Sequence, residues 1–388
     1  MQVGIFHNRY RERGGEDAVV DAESVLLEKA GHQVASLIVD NRAAITNPAQ
    51  ALRTARRARR NPETIARVHN FLDQHPIDVA HVHNFFPVLS PSLHTTLKVR
   101  GIPVVQSLHN YRLLCANAAL LRDNRPCEEC VTHGPWRAVR YGCYRGSRAQ
   151  TAVWSGFIQH HRKRGTWRSA VDLFITPSEF ARRKLAQGGL DLERMVTVPN
   201  PVLDPGAAGR LGHGGVYVGR LSSEKGVDRL LLAWRSMGDT PLTIVGDGPE
   251  RRRLESMATG LPHVRLLGAL PREGVLRAIG AAAFLVQPSR CYETASMSVT
   301  EAMASGRAAV APEHGAVAEL IEPGRTGLLY RDDDVVSLVD ACRTLVEDRE
   351  LARGFGIEAR AVYESDLGPE PVTQALVAAL ESVARRSS

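Results

Sequence analysis

The sequence lacks the features that mark membrane-spanning and disulfide-stabilised proteins. No uncharged apolar run in its 388 residues approaches the ~20 residues that a transmembrane helix needs. The start MQVGIFHN does not have the basic and then apolar order of a secretory signal. Cysteines number only six, and disulfides are rare in the cytoplasm. With 44% hydrophobic and 23% charged residues, we expect a globular cytoplasmic protein.

An excess of acidic residues is also absent, because the formal net charge is +7. Residues 1–199 hold 28 lysines and arginines against 17 aspartates and glutamates, whereas residues 200–388 hold 21 against 25. The clearest basic clusters are Arg53, Arg56, Arg57, Arg59, Arg60 and Arg162, Lys163, Arg164, Arg168. They could contact a phosphorylated acceptor or, peripherally, the inner face of an anionic membrane, or could be solvated faces. No nucleic-acid-binding motif accompanies them, so no nucleic acid is expected.

The chain is too long for one hydrophobic core, so two domains are predicted. Short apolar strands alternate with helices, which predicts doubly wound parallel sheets. A loop rich in glycine and proline follows Pro199 and continues to Gly215, as expected of a linker. We therefore predict an N-terminal domain at 1–204, a C-terminal domain at 205–370, and a last segment, 371–388, whose helix packs back toward the N-terminal domain.

One stretch, QPSRCYETASMSVTEAMASG at 287–306, follows an apolar run and predicts strand, polar loop and helix, with the helix starting near Ser296. Glu293 and Glu301 can then both face the space beyond the carboxyl end of the strand, where open α/β sheets bind ligands. The backbone N–H groups of Thr294, Ala295, Ser296, Met297 and Ser298 would favour an anion there. Carboxylates beside an anion site suit a nucleotide sugar. Two solvated surface glutamates are the alternative.

Three further sites follow predicted strands. Arg220 and Lys225 bracket the loop GRLSSEKG and together could neutralise a diphosphate, or be solvated loop charges. His109, in SLHN, could contact a sugar hydroxyl or a diphosphate oxygen, or be structural. Gly14 and Gly15 would let the backbone approach a phosphate or a sugar closely, or form only a turn.

Four of the six cysteines fall within 29 residues, Cys115, Cys127, Cys130 and Cys143. The pair at 127 and 130 has the C-x2-C spacing that can hold one Zn²⁺, and the other two could complete a tetrahedral structural site. Buried thiols without a ligand are the alternative.

The stretch at 287–306, with its E-x7-E spacing and EAMASG, together with GRLSSEKG and RYRERGGEDAVV, resembles the retaining glycosyltransferases of family 4 (GT4). The resemblance covers nearly the whole chain and is strongest at 216–250 and 284–330. It implies an α/β protein of the GT-B fold, with two Rossmann-like doubly wound domains facing a cleft. A cysteine-bearing insertion at about 111–168 is similar to that of a subset of the family.

The resemblance implies a retaining transfer of a sugar from a nucleotide diphosphate sugar to a hydroxyl acceptor, which could be a glycan, a lipid-linked compound or a natural-product intermediate. Arg220 and Lys225 would bind the diphosphate, Glu301 the ribose hydroxyls and Glu293 the transferred sugar. His109 would lie in the reaction centre. Further donor contacts would come from Gly14 and Gly15 and, near the nucleobase, from Gly268 and Leu270. No cofactor would be required for catalysis.

The chain departs from the family pattern after Glu293. Thr294, Ala295 and Ser296 stand where the family usually has a Gly-Phe-Gly-like sequence, and the loss of glycine restricts the backbone. Two alternatives therefore stay open: a nucleotide-sugar 2-epimerase of GT-B type, and a non-catalytic GT-B scaffold that binds a nucleotide sugar.

Overall fold

The computed structural model describes residues 1–10, 14–44, 50, 53, 57 and 60–385. Arg56 and Arg59 of the predicted basic cluster, and residues 386–388 of the predicted last segment, lie outside the described residues. The chain forms two compact units. The first contains Met1–Leu120, Glu128–Pro201 and Glu370–Ser388, and the second contains Leu121–Cys127 and Val202–Pro369. The predicted insertion at 111–168 placed residues 121–127 in the N-terminal domain, whereas the structure groups them with the second unit.

Fourteen strands are formed by the described residues. In chain order they are β1 (Gln2–Arg9), β2 (Gln33–Asp40), β3 (Val79–Val82), β4 (Val104–Ser107), β5 (Leu121–Arg122), β6 (Arg125–Pro126), β7 (Leu173–Thr176), β8 (Met195–Thr197), β9 (Gly215–Val218), β10 (Leu242–Val245), β11 (Val264–Gly268), β12 (Phe284–Val286), β13 (Ala308–Pro312) and β14 (Gly327–Tyr330). Only β5 and β6 pair as an antiparallel hairpin among them, and the others form two parallel sheets.

The sheet of the first unit has the order β2-β1-β3-β4-β7-β8. Every residue of β3 and β4 is buried, because helices cover both faces of a parallel sheet. The α-helices of this unit span Gly15–Lys29, Asn41–Ala44, Pro62–Gln74, Ser92–Val99, Glu129–His133, Arg137–Tyr141, Arg148–Lys163, Thr166–Ala170, Glu179–Gln187 and Pro369–Ala384. The last of these buries Val372, Leu376 and Leu380 in one apolar cluster with Val3 and Val105 of the sheet.

The sheet of the second unit has the order β11-β10-β9-β12-β13-β14, which is the Rossmann order 3-2-1-4-5-6 within this unit. Its α-helices span Val227–Trp234, Arg251–Ala258, Arg272–Gly280, Met297–Ala304, Gly315–Glu319, Val335–Glu347 and Arg349–Val362. Two of them begin at aspartate caps, since Asp334 accepts a hydrogen bond from the Ser337 amide and Asp348 from the Leu351 amide. None of the helices in the described part of the chain is long and apolar enough to cross a membrane.

Strand order changes direction once in each sheet, and ligands of open α/β sheets bind at that point, beyond the carboxyl ends of the strands. In the first unit the change lies between β1 and β3, and in the second between β9 and β12. The loops that follow these four strands carry most of the residues predicted to be functional. The fold prediction of two Rossmann-like doubly wound domains is confirmed.

We expect the helix Val227–Trp234 to contribute to stability through one face only. Leu230 is fully buried in the core of the second unit, whereas Leu232 is 45% exposed. Leu230→Ala should lower the free energy of unfolding by about 2–5 kcal/mol, because it leaves a cavity. Leu232→Ala removes the same atoms from the surface and should change it by less than about 1 kcal/mol. Urea denaturation followed by circular dichroism measures both, and equal losses would contradict the packing described here.

Candidate functional site

Two loops meet at the switch point of the second unit, and we call residues 219–226 and 287–296 the paired loops. Gly226 has φ +70°, and a Cβ at this position would lie 2.1 Å from the carbonyl oxygen of Pro288. The Arg290 amide donates to the Glu224 carbonyl at 2.8 Å, and the Arg290 guanidinium binds both carboxylate oxygens of Asp228. Glycine is thus required at 226, because only a residue without a side chain allows so close an approach.

Lys225 and Glu293 form an ion pair across the paired loops. Lys225 Nζ lies 2.7 Å from Glu293 Oε1, and the Ser289 hydroxyl donates to the same oxygen at 2.7 Å. The Glu293 side chain is 9% exposed and that of Lys225 is 24% exposed. Burial alone would lower the pKa of Lys225, but the Glu293 carboxylate more than compensates and raises it above its usual value. The ammonium is therefore charged at neutral pH and still reaches solvent.

Glu301 occupies a separate position, on the helix Met297–Ala304. This carboxylate is buried, and Arg272 Nη1 donates to its Oε1 at 3.3 Å. Burial raises the pKa of Glu301, while Arg272 opposes that shift. The two glutamates of the E-x7-E spacing thus have different cationic partners, Lys225 for Glu293 and Arg272 for Glu301.

The start of that helix is shaped by serine side chains. Ser296 precedes the helix, and the Gln287 side-chain amide donates to its hydroxyl at 3.1 Å. The hydroxyls of Ser296 and Ser298 lie 3.3 Å apart. Since the first N–H groups of any α-helix have no partner within the helix, the backbone from Thr294 to Ser298 is the part of this loop suited to an anion.

Arg220, the second predicted cation, lies in the same loop as Lys225 and is exposed. Its carbonyl oxygen accepts a hydrogen bond of 2.9 Å from the buried Tyr217 hydroxyl, which fixes the backbone at this point. The predicted nucleobase positions lie at the end of β11. Gly268 has φ +75° and its carbonyl accepts from the Gly246 amide at 2.8 Å, while Leu270 is half-buried.

In the first unit, Gly14 and Gly15 begin the helix Gly15–Lys29 after β1. The Gly14 amide donates to Asp17 Oδ2 at 2.9 Å, and Asp17 Oδ1 lies 2.9 Å from His7 Nε2. A Cβ at Gly14 would meet open space, so packing does not require glycine there. Both glycines are exposed and are accessible to a ligand.

His109 lies beyond β4 and contacts a second histidine. Its Nε2 is 3.0 Å from His83 Nδ1, and the two rings are parallel, with interplanar angle 5° and centroids 5.3 Å apart. Burial, followed by the nearby His83, lowers the pKa of His109 well below its usual value. At neutral pH this imidazole is uncharged, so it can exchange hydrogen bonds with a ligand without supplying a positive charge.

The zinc site predicted from Cys115, Cys127, Cys130 and Cys143 stays a prediction. Cys115 and Cys130 are in contact, and the Cys130 thiol lowers the pKa of Cys115. Cys143 also lies near Cys130. None of these four described cysteines forms a disulfide. Within the described ranges, the only three ligand atoms close enough to share an ion belong to Glu23, His81 and His83.

Several residues of these sites were missed from the sequence. Ser289, Arg272 and Asp17 are ordinary polar residues whose partners lie far away in the chain or on another loop. The pair His81 and His83 at the end of a predicted strand was a usable signal, because residues two apart in an extended segment share one face.

Two family models match the chain, one for each unit. The model described as Glycosyltransferase Family 4 matches residues 13–203, and the model described as Glycosyl transferases group 1 matches residues 213–348. A GDP-mannose-dependent alpha-mannosyltransferase of Mycobacterium tuberculosis is 33% identical over 235 residues, covering 56% of this chain and 57% of that protein. The chain spans less than half the length of several other curated relatives that it matches.

Solved structures share the fold at low sequence identity. The sucrose-phosphate synthase of Thermosynechococcus elongatus superimposes with a TM-score of 0.76 and 16% identity, covering 99% of each chain. Anabaena HepE in complex with UDP-glucose gives a TM-score of 0.69 and 16% identity, over 98% of this chain and 99% of HepE. With both family models and this fold in agreement, the chain belongs to the family 4 glycosyltransferases of the GT-B fold.

Proposed function

We propose that the protein transfers a sugar from a nucleotide diphosphate sugar to a hydroxyl acceptor with retention of the anomeric configuration. The observation that carries the proposal is the ion pair of Lys225 and Glu293 at the switch point of the second sheet. It sets one ammonium and one carboxylate side by side where a Rossmann sheet binds nucleotides. These are the two groups that a sugar diphosphate requires, a cation for the phosphates and an acceptor for sugar hydroxyls.

The exposed Arg220 and the partly exposed Lys225 would neutralise the diphosphate from one loop, assisted by the backbone N–H groups of residues 294–298. As the bond to the sugar breaks, negative charge grows on the leaving diphosphate, and the same cations stabilise it. Glu293 would accept hydrogen bonds from the transferred sugar. Its Oε1 is already bound by Lys225 and Ser289, which favours a positioning role over nucleophilic attack.

Glu301 would accept hydrogen bonds from the ribose hydroxyls, held in place by Arg272. Gly268 and Leu270 would lie toward the nucleobase, and the first unit, with Gly14, Gly15 and His109, toward the transferred sugar and the acceptor. The exposed Lys163, Arg164 and Arg168 would let this unit contact an anionic membrane surface if the acceptor is lipid-linked. The similarity to a GDP-mannose-dependent enzyme and to a UDP-glucose complex makes UDP- and GDP-linked sugars the first donors to test.

A titration with a panel of UDP-, GDP- and ADP-linked sugars should identify a donor by calorimetry. With that donor, Lys225→Ala and Arg220→Ala should each weaken binding by about 10–100-fold, because a charge-assisted hydrogen bond contributes about 1.5–3 kcal/mol. Incubation with hydroxyl acceptors should yield a product whose anomeric configuration, read by NMR, matches that of the donor.

The matched control is Arg353→Ala, which removes a cation that is 64% exposed on the helix Arg349–Val362. It should leave donor affinity unchanged. Unaltered affinity in both Lys225→Ala and Arg220→Ala would exclude the proposed diphosphate site. Isomerised sugar formed from donor alone would indicate an epimerase instead, and binding without any turnover would indicate a scaffold.

Glu293→Gln separates the contact with the sugar from the contact with the phosphates. The substitution removes the carboxylate that holds Lys225 but retains the ammonium. We expect the nucleotide diphosphate to bind as well as or better than in the unchanged protein, while the nucleotide sugar loses about 10-fold in affinity, since its hydroxyls lose a charged acceptor. Calorimetry with the two ligands measures the difference, and parallel loss for both would argue against a sugar contact.

Glu301→Ala tests the contact with the ribose, again by comparing the affinities of two ligands. The variant should lose about 10-fold in affinity for the identified nucleotide, because charged hydrogen bonds to the hydroxyls disappear. The corresponding 2′,3′-dideoxynucleotide has no hydroxyls to lose, so its affinity should be the same in both proteins. A Glu301→Ala variant that weakens both nucleotides equally would place this carboxylate away from the ribose.

A further inference from the structure

Three ionisable side chains of the first unit converge at one point beside His109. Glu23 lies on the helix Gly15–Lys29, His81 on β3, and His83 immediately after β3. Their exposed fractions are 5%, 0% and 1%. Glu23 Oε2 lies 3.4 Å from His81 Nδ1 and 3.3 Å from His83 Nε2, and the three atoms all lie within 4.8 Å of one another. We call them the Glu-His-His cluster.

None of these three converging atoms makes a hydrogen bond within the described part of the chain, although all are buried. A buried polar atom without a partner costs about 1–3 kcal/mol, and native proteins contain few of them. Three such atoms directed at one point would each carry this free-energy cost. A ligand that accepts electron pairs from all three removes it.

The two distances from the Glu23 carboxylate oxygen match those between ligands of a tetrahedral metal ion. With metal–ligand bonds of about 2.0–2.1 Å for Zn²⁺, two ligands of a tetrahedron lie about 3.3–3.4 Å apart. The two separations between carboxylate oxygen and imidazole nitrogen are 3.3 and 3.4 Å. Octahedral geometry would bring adjacent ligands closer, to about 3 Å at similar bond lengths.

In both histidines, the ring nitrogen that does not face Glu23 already has a polar partner. His81 Nε2 lies 2.8 Å from the Ser107 hydroxyl, and His83 Nδ1 lies 3.0 Å from His109 Nε2. Histidines that bind metals use their second ring nitrogen in this way, which fixes the tautomer and leaves the inner nitrogen with a lone pair. Each ring therefore has one nitrogen in a polar contact and its other nitrogen facing the point where the three side chains converge.

We propose that Glu23, His81 and His83 bind one Zn²⁺ ion, with two imidazole nitrogens and one carboxylate oxygen as its protein ligands. The ion would tie the first helix of this unit to β3 across the switch point of its sheet. It would also require His83 to donate its Nδ1–H to His109 Nε2, so that the orientation of His109 depends on the ion. The proposal stands on the cluster alone and does not depend on the glycosyl-transfer reaction.

The test uses the full chain, without a histidine tag, purified without added metal. Elemental analysis should give about one zinc per chain, and the Zn X-ray absorption spectrum should show only nitrogen and oxygen neighbours at about 2.0–2.1 Å. Glu23→Gln keeps the shape of the side chain and removes its charge, and it should lower the zinc content several-fold. Adding ZnCl2 to chelator-treated protein should raise its Tm, and Glu23→Gln should abolish that shift.

Two controls assign the metal. The Cys127→Ser/Cys130→Ser variant should keep its zinc, and so should His94→Gln, which alters a buried histidine that contacts Gln106 instead. Sulfur neighbours at about 2.3 Å, with zinc lost in the cysteine variant, would assign the metal to the thiols and overturn the proposal. Protein without zinc whose Tm does not respond to ZnCl2 would also overturn it, and would indicate a metal-free network with a proton on Glu23.

Discussion

The close approach of the paired loops is the constraint on which the site of the second unit depends. Gly226 touches the carbonyl of Pro288, and this contact brings the ammonium after β9 within hydrogen-bond distance of the carboxylate after β12. Arg290 also binds Asp228, at the start of the helix that follows the first of these loops. Charge and backbone geometry therefore act together, since neither side chain could reach the other if the loops were held further apart.

Much of the fold followed from local pattern. Short apolar runs separated by helices predicted parallel sheets, and the structure contains two of them. Family membership and the GT-B fold are likewise confirmed. Composition alone does not set the limits of an element. In the apolar run before residue 287 only Phe284–Val286 form a strand, because Ala281 and Ala282 still belong to the turn that ends the preceding helix.

Side-chain partnerships across the chain could not be predicted in this way. The sequence placed Glu293 and Lys225 at strand ends, but it contained no sign that Ser289 would share the carboxylate or that Arg272 would accompany Glu301. Spacing drew attention to the C-x2-C pair, whereas His81 and His83, which received no metal-binding interpretation, meet Glu23. Convergence of residues from different segments depends on three-dimensional packing, which spacing along one segment does not report.

The pairing of Lys225 with Glu293 has a consequence for the end of the reaction cycle. In the proposed reaction, a bound sugar diphosphate would offer phosphate oxygens to the ammonium and hydroxyls to the carboxylate, so both charges would find new partners. Once the sugar had left, the carboxylate would have lost its hydroxyls and would compete with the remaining phosphates for the ammonium. The Glu293 carboxylate would thus weaken the binding of the nucleotide diphosphate product and promote its release.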